Sequence, residues 1–267
     1  MSASAILEAA TARMAGLGLE EVNERAALMT RVDRKYFVDA STLDRFFDLV
    51  DDDFAVLEIG GKRLMGYHST YFDTADLATY RDHLKGRRRR YKVRLRTYTD
   101  TGTHFLEVKH KGLRAVTRKT RVPYLGELEV GGPVPRLGEP GHAFVSDVVA
   151  NAYRQPLPGP LAPSYATTNR RATLVSLTTD ARVTVDVDLR LTESDTQRVA
   201  GLRSQFAMIE TKSGRGASSA DRALRQLGVR PVKVSKYCAA VALLRPDLPS
   251  APWRRVVRTY FAPAIAG

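Results

Sequence analysis

Apolar and polar positions alternate with a period of two along several stretches of this chain, and cations crowd the polar side each time. In Tyr91-Lys92-Val93-Arg94-Leu95-Arg96 the odd positions are apolar, while Lys92, Arg94 and Arg96 share the other face of a predicted strand. Phe105 to Lys111 repeats the pattern, with Glu107, Lys109 and Lys111 together. The linker Thr97 to Thr103 contains Asp100-Thr101-Gly102, whose turn chemistry predicts a hairpin. Arg31 to Val38 puts Arg31, Asp33 and Lys35 on one face, and Val116 to Val122 does the same for Lys119 and Arg121. Tyr67 to Thr74 reads as a strand ending in a polar turn. In the second half, Thr168 and Arg170 share a face, and Phe206 to Lys212 groups Met208, Glu210 and Lys212. Arg182 to Arg190 alternates strictly, setting Arg182, Thr184, Asp186, Asp188 and Arg190 opposite Val183, Val185, Val187 and Leu189.

Between these stretches the period lengthens to that of a helix. Residues 3–17 read as a short amphipathic helix. Ser41 or Thr42 caps another that runs to Val50, burying Leu43, Phe46, Phe47 and Val50. Helices are expected again from His142 to Tyr153, from Ser218 or Ser219 to Leu227 before Gly228, and from Tyr237 to a stop ahead of Pro246. The Gly- and Pro-rich stretches 131–141 and 156–163 read as loops too short to demand a second domain. The expected organisation is an N-terminal helical segment (1–28), a strand-rich domain (29–245) and a basic, aromatic C-terminal tail (246–267).

A sheet face made mostly of cations resists formation. Same-face neighbours on a strand sit about 6.6 Å apart, and two unit charges at that distance repel by roughly 2.5 kcal/mol at an effective dielectric near 20. An open sheet could turn this face to water. A closed barrel could instead cover its apolar outside with helices and keep a polar lumen in which an anion offsets the repulsion.

Composition sharpens the choice. The 267 residues carry 42 Lys and Arg against 29 Asp and Glu, a formal net charge of +13, which points to a polyanionic partner. Nucleic acid, an anionic membrane surface and polyphosphorylated small molecules share that chemistry. Nucleic acid fits poorly, because the interleaved aromatics of single-strand platforms are sparse. The single cysteine, Cys238, excludes an intrachain disulfide and a cysteine-based zinc cluster, and favours the cytoplasm. Glu8 interrupts what would be a signal sequence, and no apolar run approaches the roughly 20 residues of a membrane helix. Any membrane association is then peripheral or through a membrane-protein partner.

The ordered set Arg31-x-Asp33-x-Lys35-Tyr36, Tyr71-Phe72-Asp73-Thr74, Lys92-x-Arg94-x-Arg96-x-Tyr98, Glu107-x-Lys109, Lys119-x-Arg121, Arg182-x-Thr184-x-Asp186, Glu210-x-Lys212 and Ser235-Lys236-Tyr237 resembles the VTC domain, the polyphosphate polymerase domain of the triphosphate tunnel metalloenzymes. The resemblance spans residues 29–245. It implies an α+β fold in which an antiparallel closed β-barrel forms a tunnel with a basic lumen, flanked by helices. It implies ATP and polyphosphate or triphosphate as ligands, with Mn²⁺ or Mg²⁺ as cofactor. By position, Arg94, Arg96, Lys109, Lys119, Arg170 and Arg182 are the expected phosphate-gripping residues, with Lys35 and Lys92 as additions. Lys233, Ser235 and Lys236 resemble a cluster at one tunnel mouth, and Glu210 the metal ligand. Lys109, Arg94, Arg96 and Glu210 would carry catalysis. Two departures stand out: Thr168 replaces a tyrosine expected two residues before Arg170, and the first strand offers only Asp33 where hydrolytic relatives place several glutamates.

Phosphoryl transfer asks a protein mainly to position phosphates and neutralise charge, which Arg, Lys and a metal suffice to do. Three functions follow: a polyphosphate polymerase, a metal-dependent triphosphatase on the same scaffold, and a non-enzymatic module binding polyphosphate or nucleic acid. Residue by residue, plainer roles compete. Glu210 could simply pair with Lys212, and Asp186 and Asp188 could pair with Arg182 and Arg190. His83 and His110 show no ligand spacing, and the tail could pack back on the domain.

Overall fold

A computed structural model describes residues 1–25, 32–112, 117–124, 136–214 and 216–265. Arg31, Val116 and positions 131–135 of the expected loop lie outside the described residues. In chain order the elements are α1 (Ala3–Arg13), β1 (Gly16–Leu17), α2 (Leu19–Arg25), β2 (Val32–Asp39), α3 (Ala40–Asp48), β3 (Phe54–Leu57), β4 (Met65–Asp73), α4 (Ala78–Leu84), β5 (Tyr91–Tyr98), β6 (Thr103–Lys111), β7 (Thr117–Pro123), α5 (Glu139–Tyr153), β8 (Ala162–Ser176), β9 (Arg182–Glu193), β10 (Val199–Leu202), β11 (Phe206–Ser213), α6 (Ser219–Gln226), α7 (Lys236–Leu244), α8 (Arg254–Tyr260) and β12 (Phe261–Ile265).

The long strands pair antiparallel in the order β7-β6-β5-β4-β8-β9-β11-β2. Among the described residues no ladder joins β7 to β2, so the expected closed barrel is not closed by hydrogen bonds. Part of the free edge of β2 is already taken: the Val232 amide donates to the Lys35 carbonyl at 2.7 Å, in an isolated bridge. The sheet nevertheless curls until its two ends face one another. Lys109 of β6 feels Glu210 and Lys212 of β11, and Lys111 feels Asp33 and Lys35 of β2. The charged face is therefore the inside of a curved trough.

Helices cover the outside, as the period-two pattern requires. α5 lies over β5 and β6, where Leu106 and Val108 are fully buried with Val93, Leu95, Val145 and Val149. α1, α3 and α6 cover β2, β8, β9 and β11 through Tyr36, Leu43, Phe46, Leu174, Val185 and Ile209. Each such side chain taken from water contributes about 1.5–3 kcal/mol. Asp39 caps α3, accepting from the Thr42 amide at 2.8 Å and from the Ser41 hydroxyl at 2.9 Å. The cap falls there, and not at Ser41 or Thr42, because β2 runs directly into the helix. Ser218 caps α6 in a reciprocal box with Asp221, as its position suggested. α5 starts three residues earlier than expected, with Pro140 in its first turn.

A third cluster sits on the inner face at one end. Phe37, Tyr71, Tyr165, Leu191 and Met208 pack there against Tyr237, Val241 and Leu244 of α7. The C-terminal tail joins this cluster through Trp253, Val256 and Val257, and β12 pairs with β10. No helix of the described residues is long and apolar enough to cross a membrane.

Candidate functional site

Register places the polar residues of eight strands on the inner face. Ser69 pairs with Arg96 and Tyr71 with Arg94 across β4 and β5, and Arg94 pairs with Glu107 and Lys92 with Lys109 across β5 and β6. Lys109 pairs with Lys119, Arg171 with Asp186, Glu210 with Thr184 and Glu210 with Lys35.

Three carboxylates divide this face, and each is held by two cations. Glu107 accepts from Arg94 Nε at 2.6 Å and lies 3.3 Å from Lys119 Nζ. Asp186, fully buried, takes a two-pronged contact from Arg171 at 2.6 and 2.8 Å and lies 2.9 Å from Lys236 Nζ. Glu210 lies 3.2 Å from Lys212 Nζ and 3.8 Å from Lys35 Nζ. Burial alone would raise all three acids, but these neighbours win. Arg94 and Arg96 hold Glu107 well below the carboxylate range, Arg171 and Lys236 do so for Asp186, and Lys212, Lys35 and Lys109 for Glu210.

Cations still outnumber acids, and the surplus gives the site its character. The Lys109 side chain has no hydrogen bond or ion pair among the described residues. Neighbouring Arg94 pushes it well below the usual lysine value, and enclosure adds to the effect. Arg96 is buried and, among the described residues, its side chain donates only to Ser69 Oγ, at 3.4 Å, with its guanidinium 5.1 Å from the Tyr67 ring centre. Enclosure followed by like charges pushes Lys212 and Lys92 down to about 8 and Lys236 down to about 7. Lys92 donates to His83 Nε2 at 2.7 Å; His83 Nδ1 gives its proton to the Thr79 carbonyl, so the ring is neutral. A face that holds several ammonium groups below their ordinary values is built to receive negative charge.

The Tyr71–Thr74 and Ser235–Tyr237 motifs act together in placing α7. Asp73 accepts from the amides of Thr74, Thr79 and Tyr80 and from the Thr79 hydroxyl, and the Tyr237 hydroxyl donates to it as well. Tyr71 stacks on Tyr237 with ring centres 5.3 Å apart. Ser235 caps α7, accepting from the Cys238 amide at 3.1 Å. The first residue of the helix is thereby aimed inward: Lys236 reaches Asp186 and, at 2.5 Å, Asn169 Oδ1.

The inner face gathers Lys35, Lys92, Arg94, Arg96, Lys109, Lys119, Arg182, Glu210 and Lys236 of the expected residues. Arg170 is not among them. It points outward, with Nε 2.8 Å from Asp188 Oδ2 and Nη1 2.5 Å from Glu8 Oε1 of α1. The inward arginine of β8 is Arg171, and the position two before it on that face is Asn169, so Thr168 is no substitute for an inner tyrosine. The strict alternation expected of β9 also breaks. A bulge at Asp188, whose φ is +53°, turns Asp188 and Arg190 outward and Leu189 and Leu191 inward. Asp186 therefore pairs with Arg171 and Lys236, and Asp188 with Arg170. Lys233 is exposed on the segment leading to α7. Asn169 and Arg171 escaped notice, although Tyr165, Thr167, Asn169 and Arg171 keep one phase along β8; Lys212, expected beside Glu210, is on the inner face with it.

Among the described residues no group of three His, Cys, Asp or Glu side chains could cage a metal by itself. Glu210 is an inner-face carboxylate beside Lys109, and the buried Thr184 hydroxyl next to it in register has no hydrogen-bond partner among the described residues. One carboxylate and one hydroxyl suit a hard dication that completes its shell with phosphate oxygens and water. The residues fit Mn²⁺ or Mg²⁺ jointly with a phosphate ligand.

The family model described as VTC domain matches residues 30–245. No curated protein matches the chain. Solved structures with a similar chain path include a candidate adenylate cyclase from Vibrio parahaemolyticus (TM-score 0.42, 13% identity, 77% of this chain and 94% of that chain). Another is a protein of Pyrococcus horikoshii OT3 (TM-score 0.45, 12% identity, 82% and 99%). A third is a candidate adenylyl cyclase from Hippeastrum described as having a dominant triphosphatase activity (TM-score 0.42, 12% identity, 80% and 96%).

Proposed function

This chain belongs to the VTC domain family, and we propose that it is a polyphosphate polymerase-like phosphotransferase that moves the terminal phosphoryl group of ATP onto a polyphosphate chain. The observation that carries this reading is the convergence of Arg94, Arg96, Lys109 and Arg171 with Glu210 on one enclosed face. In this reading Arg94 and Arg96 grip phosphate oxygens with planar forks, while Lys109, unpaired in the free protein, supplies a point charge to the transferring group. Lys35, Lys92, Lys119, Arg182 and Lys236 extend the grip along the chain. A terminal oxygen of the polyphosphate attacks the γ-phosphorus, the bond from that phosphorus to the β–γ bridging oxygen breaks, and ADP leaves. Glu210 and phosphate oxygens would hold Mn²⁺ or Mg²⁺, which when bound neutralises charge developing on the phosphates. The protein supplies no nucleophile, so positioning and charge do the work.

The test is incubation of the purified protein with ATP and Mn²⁺, beside Glu210→Ala, resolved on a polyphosphate-staining gel. A long ladder missing from the variant supports the polymerase. Free phosphate without a ladder moves the assignment to a triphosphatase on the same site.

A further inference from the structure

The cations of the inner face are held by two kinds of partner. Glu107, Asp186 and Glu210 each hold two of them, and each carboxylate cancels one unit of the charge that would receive an anion. Lys92 is held differently. Among the described residues its ammonium has no carboxylate within ion-pair distance and donates instead to His83 Nε2 at 2.7 Å. The ring accepts there because its other nitrogen is engaged: Nδ1 lies 2.8 Å from the Thr79 carbonyl, which only accepts, so the single ring proton sits on Nδ1 and Nε2 is bare. Burial does most to keep this ring neutral, and the charges of Lys92, of Arg90 just before β5 and of Lys111 on β6 add to it. Together they push His83 down to about 3, against the opposing hydrogen bond to Thr79.

The place of the ring is fixed from the core. Asp73, at the end of β4, accepts from the Thr79 amide at 2.9 Å and from the Thr79 hydroxyl at 2.7 Å. The next residue, Tyr80, donates from its hydroxyl to the Pro249 carbonyl at 2.8 Å. His83 stands one turn after Thr79, so its ring reaches the Thr79 carbonyl on the same side of α4. Asp73, Thr79, His83 and Lys92 thus form one chain of hydrogen bonds from a buried carboxylate to the trough.

A neutral acceptor does for Lys92 what a carboxylate would not. It fixes the ammonium while leaving its charge uncancelled, and two of the three N–H groups remain for phosphate oxygens. We infer that His83 is a positioning residue for phosphate binding, which holds Lys92 on the inner face, across the ladder from Lys109, without neutralising it. The inference rests on the phosphate-site reading above.

The test is calorimetric titration of inorganic tripolyphosphate into the full chain and into three variants at His83, with urea unfolding to report that each is folded. His83→Leu leaves Lys92 without its acceptor and should weaken binding about fivefold, the scale of one hydrogen bond. His83→Gln, whose side-chain carbonyl can accept where Nε2 does, should restore affinity to within about twofold of the unaltered protein. His83→Glu also accepts from Lys92 but cancels its charge, and should bind about tenfold or more weakly. Added to Lys92→Ala, His83→Leu should cause no further loss. Mere packing of α4 by His83 would neither separate His83→Gln from His83→Glu nor depend on Lys92. Unchanged affinity in His83→Leu, equal affinities for His83→Gln and His83→Glu, or a fivefold loss that persists in Lys92→Ala would overturn the positioning role and leave the phosphate site standing. Failure of the unaltered protein to bind tripolyphosphate would defeat the phosphate site and this role with it.

Discussion

Anion binding in this trough should be coupled to proton uptake, because the lysines that face the ligand are held below their ordinary values while the trough is free. Lys236 is pushed down to about 7, and Lys92 and Lys212 to about 8. A triphosphate restores their charge, so each binds protons more tightly in the complex. Affinity is then greatest below the free-state values and falls as pH rises through them. From its value of about 7, Lys236 goes from about nine-tenths charged at pH 6 to about one-hundredth at pH 9, a loss of up to about 90-fold in affinity. Lys92 and Lys212 each add up to about tenfold by pH 9. The ligand's own charge rises over this range and opposes the trend. Lys236→Arg, which stays charged throughout, isolates the lysine contribution. Calorimetry with tripolyphosphate in buffers of different ionisation enthalpy should show uptake of about two protons near pH 8 and a flatter pH profile for Lys236→Arg. No net uptake, together with superimposable profiles for the two proteins, would refute the argument.

Three further outcomes follow from the geometry. Arg170→Ala should leave tripolyphosphate affinity unchanged, because Arg170 lies outside with Asp188 and Glu8. Arg96→Ala should weaken it about tenfold or more, since a hydrogen bond to a charged group contributes about 1.5–3 kcal/mol, and parallel titrations would reveal an inverted face assignment. Asp186→Asn should lower stability by about 3–5 kcal/mol in urea unfolding, because it leaves Arg171 and Lys236 enclosed without their counter-charge.

Much of this molecule can be read from alternation alone. The hairpin of β5 and β6 needs only Lys92, Arg94, Arg96 and Lys109 out of phase with Val93, Leu95 and Val108, and α5 supplies the cover that the apolar phase demands. What alternation does not reveal is a change of phase. Arg170 and Arg171 are adjacent, so a shift of one residue exchanges the outward for the inward arginine. The bulge at Asp188 has no signature in an uninterrupted run of alternating residues; it becomes evident only when β9 must pair with β8 on one side and β10 on the other. Ion-pair partners are equally hidden. Asp186 meets Lys236 from the start of a helix 50 positions later, a contact that depends on Tyr237 being tied to Asp73. Closure of the barrel is a further case, since strand patterns say which face is polar and not whether the last strand meets the first.

The most direct test of the central claim is a crystal structure of the protein grown with inorganic tripolyphosphate. The account predicts the anion on the inner face, with its oxygens on Arg94, Arg96, Lys109 and Arg171 and one end toward Glu210. An inner face without the anion, with tripolyphosphate held instead at the exposed Arg254, Arg255 and Arg258 of α8, would contradict it.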